Sequence, residues 1–464
     1  FTWYADNDGD GLGDFQNSAN FCYEYEGYVS NSEDENDSVF CPYQYLGENY
    51  DCVGNLLWIS GCTDPNACNY DELAETDDGG CLFNDCTGEC GGSSELDDCG
   101  VCDGNGTTCE NLIDVEVIIH NEDLIMPGIT IFGSYINQFS AAIDIYGNQL
   151  WTSGYDSFVY FNYNNDGELL GGKIDNSYQY SSNMYGASLD IDLNVNFVED
   201  IVAENMFNQY FIPHEIIKLP NGNYISLAPD FRNLPVSQKE VGSWSWESQF
   251  SDSELESFPW MGDMVVEWNP STNDTIWTMS TFDIYDIEDF DILGGTWQVA
   301  ASGVLPIFDW THVNAIEYNQ AQNAIYISSR HLSKITKIDY DTREVVWTMG
   351  FSQATIFGIQ NNFSDFSPTY SDGSNASFSF QHGIQVLDNG NIVTFDNGNL
   401  SNLTWNQSQV NRSRIIEIAI DESNNAAAIV WEYILPDSLY SRLSGNAQKL
   451  SNGNYLVTSI ADGA

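Results

Sequence analysis

The arrangement of hydrophobic and polar residues changes once along this chain, near Leu112. Ahead of that point there is almost no periodic apolar pattern, and Gly, Asp, Asn and Cys dominate, a composition that predicts turns and loops. Beyond it, short apolar runs alternate with turn signals and few stretches carry helical spacing, which predicts β-strands joined by hairpins. Two hairpin types recur. One carries Asn-Gly-Asn at its tip, in Leu219–Ile225, Leu387–Val393 and Leu450–Leu456; Asn-Gly suits the positive φ angles of a type I′ turn. The other ends on a tryptophan after a polar turn, in Asp144–Trp151, Glu267–Trp277, Asp339–Trp347 and Ile418–Trp431. One hairpin of each type makes a four-stranded antiparallel unit, and units repeating every ~50 to 100 residues predict a propeller more readily than a sandwich. The expected fold class is therefore all-β, with a six-bladed β-propeller over residues 111–464 preceded by an irregular, disulfide- and calcium-stabilised repeat region. The last unit stops at Ser459–Ala464 without a tryptophan hairpin. A half blade exposes an unpaired edge, so a truncated last blade and a chain continuous with further domains of a longer polypeptide are expected.

Composition adds a core and a charge. With 42% hydrophobic and 14% aromatic residues the chain has ample material for packing. Its 69 acidic against 12 basic residues give a formal charge of −57. Nucleic acid and anionic membrane surfaces are thereby poor partners and cations natural ones. No apolar run approaches the roughly 18 residues needed to span a bilayer, so no membrane insertion is expected. No Lys or Arg precedes Lys173, and all eleven cysteines lie between Cys22 and Cys109. Dense cysteines where aliphatic residues are scarce indicate an oxidising compartment in which bridges replace a core. The expected location is secreted or on the cell surface, and the odd count leaves one thiol free or paired outside the chain. Cys99 and Cys102 form a CxxC that elsewhere suggests zinc or redox chemistry; among carboxylates and glycines a structural disulfide is the expectation.

The front region divides into 1–60 and 61–110. In Asp6-Asn7-Asp8-Gly9-Asp10-Gly11-Leu12-Gly13-Asp14 carboxylates alternate around a sharp glycine turn, the spacing of an EF-hand-like loop. Asp6, Asp8, Asp10, the Leu12 carbonyl and Asp14 are the candidate ligands of a structural calcium ion. Asn17 stands where an EF-hand places its bidentate Glu. A second acidic run, Glu33–Asp37, either completes that site or forms another. The stretch Trp3–Cys41 resembles the thrombospondin type 3-like calcium repeats of large bacterial surface proteins. Gly61–Tyr70 closing at Cys81, and Asp98–Gly104 closing at Cys109, resemble the short Cys-rich repeats of the same proteins.

Of five histidines, four fall beside recurrent strand signatures: His214 in Ile212–Ile216, His312 in Asp309–Asn314, His331 after Arg330, and His382 in Phe380–Gly383. His214, His312 and His382 occupy similar places at the start of a blade's inner strand. Such strand ends line a propeller's central channel, so imidazoles a blade apart can converge. Three imidazoles could hold zinc, with Glu215 as the evident carboxylate base. Arg330 points the other way, because a fixed cation repels a dication and attracts an anion. Arg330, the imidazoles and Asn314 together make a pocket for a tetrahedral oxyanion.

From Met126 to the end the chain resembles the aryl-sulfate sulfotransferase family. The residues that carry the likeness are Asp309–Asn314, Ile327–His331, Gln381-His382, Phe395–Gly398, Ser413-Arg414 and Gly445–Gln448, in family order. The resemblance implies a six-bladed propeller that moves a sulfuryl group from a phenolic sulfate ester to a phenol without a nucleotide cofactor. It assigns His382 as nucleophile, forming a sulfohistidine, and His214, His312, Asn314 and Arg330 to the sulfuryl oxygens. The propeller lacks the family's cysteines, and the family's N-terminal sandwich domain is not evident. A non-catalytic alternative remains: a rigid module of a large extracellular filament, adhesin or prey-capture appendage, homo-oligomeric, with calcium repeats as spacers. Glycan binding through exposed Trp and Tyr is a third.

Overall fold

The computed structural model describes residues 1–34, 36–41, 60–95, 102, 113, 115–122, 124–134, 138–155, 157–164, 166–175, 183–198, 214–236, 250–272, 274–291, 293, 296–301, 307–351, 364–406, 408 and 410–460. The chain divides into two compact units, Phe1–Leu112 and Ile113–Ala464.

The first unit has little regular structure: a three-stranded sheet of Thr2–Ala5, Asp14–Asn20 and Tyr28–Val29, and the short pair Ser60–Gly61 with Thr76–Asp77. Among its described residues only Ala5, Leu12, Cys62 and Ala67 are buried apolar side chains. Disulfides take over the work of a core, joining Cys62 to Cys81, Cys68 to Cys90 and Cys86 to Cys102. Cys102 thus bridges to Cys86 and not to its CxxC neighbour; Cys99 and Cys109 lie outside the described residues. Cys22 is an exposed free thiol.

Among the described residues the second unit is six successive, mainly antiparallel sheets. Blade one comprises Thr130–Ser134, Phe139–Ile143 and Gln149–Thr152. Blade two comprises Phe158–Tyr163, Leu169–Asp175, Asn183–Leu189 and Val195–Val198. Blade three is Ile216–Lys218, Tyr224–Leu234, Phe258–Asn269 and Asp274–Ser280. Blade four is Val313–Asn319, Ala324–Ser329, Lys334–Asp339 and Val345–Gly350. Blade five is His382–Val386, Ile392–Asp396, Arg414–Asp421 and Ala426–Ile434, and blade six the pair Gly445–Lys449 and Tyr455–Ser459. The Asn-Gly-Asn turns join the first two strands of blades three, five and six, with Gly222, Gly390 and Gly453 all at positive φ. The first strand of each sheet packs beside the first strand of the next.

Cores form between blades. Leu170, Ile216, Ile225, Val265, Trp268, Val313 and Ile325 join blades two to four, and Tyr326, Trp347, Phe378, Ile392 and Ile416 join four to five. Polar side chains then fix the register of neighbours. Toward the outer strands, Glu417 of blade five accepts from Asn391 (2.7 Å) and from Lys449 (2.6 Å) and Tyr455 (2.7 Å) of blade six. Glu267 of blade three likewise takes Asn223 (2.7 Å), the Trp277 indole N–H and Tyr340 of blade four (3.0 Å). Along the first strands a second series of latches repeats. Glu215 accepts from the Ile316 N–H (3.3 Å), Glu317 from the Val386 N–H (2.8 Å), and Gln385 from the Lys449 N–H (2.7 Å). Each ties one blade's side chain to the next blade's backbone.

Blade three departs from the pattern. Its two middle strands run 11 and 12 residues, against six or seven for the strands of blade four. The excess collects an aromatic cluster of Phe250, Phe258, Trp260, Tyr285, Phe290, Phe308 and Trp310. It also receives Phe308–Asp309 as a parallel strand, Met261 opposite Asp309.

Candidate active site

The histidines arrive where inner strands begin. His214 lies two residues ahead of Ile216–Lys218, His312 immediately ahead of Val313–Asn319, and His382 opens His382–Val386. The rings of His214 and His312 have centroids 5.0 Å apart, and those of His312 and His331 4.5 Å. Arg330 lies 5.1 Å from the Phe380 ring centroid and donates to the Arg442 carbonyl (3.1 Å). Asn314 donates to the carbonyl of Gln381 (2.7 Å), fastening the His312 strand to the residue before His382. All five candidate positions are thereby gathered at one end of the inner strands of blades three to five.

The local hydrogen bonds set ring orientation. His382 Nδ1 meets Asn397 Oδ1 at 2.7 Å. The Asn397 amide nitrogen is committed as donor to the Ser441 and Ser444 carbonyls (2.7 and 3.1 Å). Its oxygen therefore accepts, His382 carries its proton on Nδ1, and Nε2 holds the lone pair. His312 Nδ1 meets Asp309 Oδ2 at 2.6 Å, and His331 Nδ1 meets the Asp309 carbonyl at 2.8 Å. His312 is the more accessible of the two, 28% exposed at the side chain against 6% for His331.

Electrostatics keep most of these rings neutral. Burial, with His312 and Arg330 nearby, pushes His214 down to about 3. Burial does the same to His331, overriding the attraction of Asp309. His382 falls well below the ordinary imidazole range, first through burial and then through the Arg330 guanidinium. Burial alone would raise Asp309, yet His312 and His331 around it hold it below the usual carboxylate range. Arg330, lowered to about 10 by burial, stays charged at neutral pH. Its Nε and the Asn314 Oδ1 are buried without hydrogen-bond partners among the described residues. A buried guanidinium with an unspent donor, ringed by neutral imidazoles, is suited to an anion.

Residues 115–463 match the family model of arylsulfotransferase (ASST). The chain belongs to the arylsulfotransferase family. Two curated proteins give partial matches: arylsulfate sulfotransferase AssT of Escherichia coli, 30% identical over 148 residues, and that of Lelliottia amnigena, 31% over 151. Each match covers 29% of this chain and 24% of the enzyme, so the aligned stretch spans about a quarter of those relatives. Among solved structures, the Dos1 propeller is 10% identical with a TM-score of 0.29, covering 71% of this chain and 65% of that one. BamB of Moraxella catarrhalis is 9% identical with a TM-score of 0.26, covering 72% and 82%. Similarity this loose adds nothing to the fold read from the sheets.

In the first unit, Asp6, Asp8 and Asp10 bring carboxylate oxygens within 4.8 Å of one another, as do Asp8, Asp34 and Asp37. The second acidic run thus reaches the first loop. Asp14 is in neither group: it opens a strand, bridges Asp34 through the backbone, and its carboxylate accepts the Gln16 N–H (2.7 Å). The Leu12 N–H is held by Asp10 (2.8 Å). No described helix is long and apolar enough to cross a membrane, which leaves strand-built membrane crossing unaddressed.

The orienting partners carry no signal of their own in the sequence: Asn397 for His382, Asp309 for His312, and His331 packed on His312. Asp309 and Asn397 sit inside the family-like stretches, but only the folded chain shows that they set ring orientation.

Proposed function

We propose that the propeller is an aryl-sulfate sulfotransferase that transfers a sulfuryl group from a phenolic sulfate ester to a phenol through a sulfohistidine at His382. The observation that carries this reading is His382 itself: half-buried, held neutral by desolvation and by the Arg330 guanidinium, its proton pinned on Nδ1 by Asn397 so that Nε2 keeps the lone pair. Nε2 attacks sulfur, the N–S bond forms, and the ester S–O bond breaks with its electron pair leaving on the phenolate, which then takes up a proton. In the second displacement the acceptor's oxygen attacks sulfur, the N–S bond breaks, and the phenolic proton passes to an imidazole. His312, half-buried and paired with Asp309 through Nδ1, takes that proton on Nε2. Arg330, Asn314 and His214 hold the sulfuryl oxygens as charge grows on them.

The test is sulfuryl transfer from 4-nitrophenyl sulfate to phenol. Wild type turns over with ping-pong kinetics, and a peptide containing His382 gains the mass of one SO3 group when donor is supplied alone. His382→Ala loses both signals. Wild type no faster than His382→Ala sinks the proposal.

We also propose that the first unit binds calcium through Asp6, Asp8 and Asp10, extended by Asp34 and Asp37, in a secreted or surface-exposed protein. The all-oxygen donor set fits a hard cation, and Asp8 Oδ2 is buried without a hydrogen-bond partner among the described residues. Bound there, calcium would supply charge neutralisation and cross-linking of the two acidic runs.

A further inference from the structure

His312 is held in a backbone conformation that side chains rarely adopt, at φ +47°. A residue with a Cβ adopts it at a cost, which fixed flanks can offset. Four hydrogen bonds tie them. The His312 carbonyl accepts from the Arg330 N–H (3.1 Å) and the Thr311 carbonyl from the His331 N–H (3.2 Å). The other two converge on one atom: Asp263 Oδ2 accepts from Thr311 Oγ1 (2.6 Å) and from the Val313 N–H (2.8 Å). A single carboxylate oxygen thus bridges the residues on either side of the imidazole.

Asp263 is itself well fixed. It sits in the overlong strand Phe258–Asn269, and its own N–H donates to Thr281 Oγ1 (2.9 Å). Thr281 Oγ1 lies 3.2 Å from Thr311 Oγ1, closing a small buried network. Two residues earlier, the Met261 carbonyl accepts the Trp310 N–H (2.9 Å), so strand and loop run side by side up to the turn that presents His312.

We propose that Asp263 is a positioning residue for sulfuryl transfer: it clamps Thr311 and Val313 and so holds His312 in its left-handed turn, aimed into the site. Asp263 does not touch substrate. This rests on the sulfuryl-transfer reading above, but the conformation it explains can be measured without turnover.

The test is a series of full-length variants assayed with 4-nitrophenyl sulfate and phenol. Asp263→Ala removes both bonds and lets the turn relax; kcat falls about 100-fold, as expected for misplacement of about 1 Å, while KM for the donor stays within about 3-fold. Asp263→Asn keeps an oxygen at the same place, and kcat stays within about 3-fold of wild type. Thr311→Val removes one bond of the two and falls between. Val265→Ala, a core truncation two residues along the same strand, lowers the melting temperature and leaves kcat unchanged. Wild-type kcat in Asp263→Ala, equal damage in Asp263→Asn, or an equal loss in Val265→Ala each overturns the proposal. Should wild type move no sulfuryl group, the enzyme reading falls, and crystal structures decide this one. A His312 φ that turns negative in Asp263→Ala supports the clamp, and one that stays near its wild-type value refutes it.

Discussion

Replacing Glu317 by Gln is expected to stabilise the propeller, and to do so only above the pH at which a buried carboxyl would prefer to stay protonated. Burial pushes Glu317 up to about 8 from an ordinary 4.5. A carboxyl whose folded value exceeds its unfolded value binds its proton more tightly when folded, so stability is highest below 4.5 and declines as pH rises toward 8. A tenfold change in proton affinity is worth about 1.4 kcal/mol, and the rise from 4.5 to about 8 therefore sets a ceiling of roughly 5 kcal/mol at pH 8.5. Partial solvent contact reduces this, and about 2 kcal/mol is expected. Gln keeps an oxygen for the Val386 N–H, and the chain makes this choice itself one blade later, where Gln385 accepts the Lys449 N–H. The assay is thermal and denaturant unfolding of wild type and Glu317→Gln at pH 5.0 and 8.5, taken as a double difference that cancels the background of the other carboxylates. The variant should lie near wild type at pH 5.0 and melt roughly 3 °C higher at pH 8.5. A gain equal at both pH values, or a loss at pH 8.5, would show that the proton on Glu317 is not what the folded chain resists giving up.

Two further outcomes follow from the outer clamps and the front unit. Glu417→Ala strands Lys449, Tyr455 and Asn391 without their shared acceptor; a loss of about 2–3 kcal/mol is expected, read by hydrogen exchange as early opening of Gly445–Ser459, and unchanged protection there would contradict the clamp. Reduction combined with a calcium chelator should render residues 1–112 protease-sensitive while the propeller's unfolding transition stays where it was, because every cysteine lies ahead of residue 110; a shift of the propeller's transition under these conditions would refute the division.

The hairpins were legible because their signals are local. Asn221-Gly222-Asn223 needs nothing beyond three adjacent residues to declare a turn, and Trp277, Trp347 and Trp431 mark the outer strands of blades three, four and five through their own bulk. Among the described residues of the second unit, six sheets stand where six blades were expected. The gathering of His214, His312 and His382 was anticipated from their equivalent places ahead of inner strands, a relation that repeats blade by blade. What was not legible depends on long-range pairing. Asp263 meets Thr311 across 48 residues and Asn397 meets Ser441 across 44, with no spacing rule to announce either. The latches escaped for another reason: Glu215 reads as a base beside the histidines, and Glu317 and Gln385 as solvated polar positions, until the first strands set them against a neighbouring backbone. In the front unit the turn chemistry of Asp6–Asp10 was visible and the second acidic run was a candidate to complete the site or form another; the meeting of Asp34 and Asp37 with Asp8 favours the first alternative, a choice that depends on long-range pairing.

The overlong strands of blade three have a consequence for how such a protein can change. The loop bearing His312 hangs from the overlong part of these strands, like a tool on a gantry, and leans on an aromatic cluster that blade three shares with Leu332 of blade four. Lengthening, shortening or re-facing that overlong part would shift one anchor of the imidazole, the Asp263 side, while its ties to Arg330 and His331 of blade four stayed in place. Chemistry and architecture can therefore drift at different rates in one molecule, the ring holding its shape while the gantry is refitted.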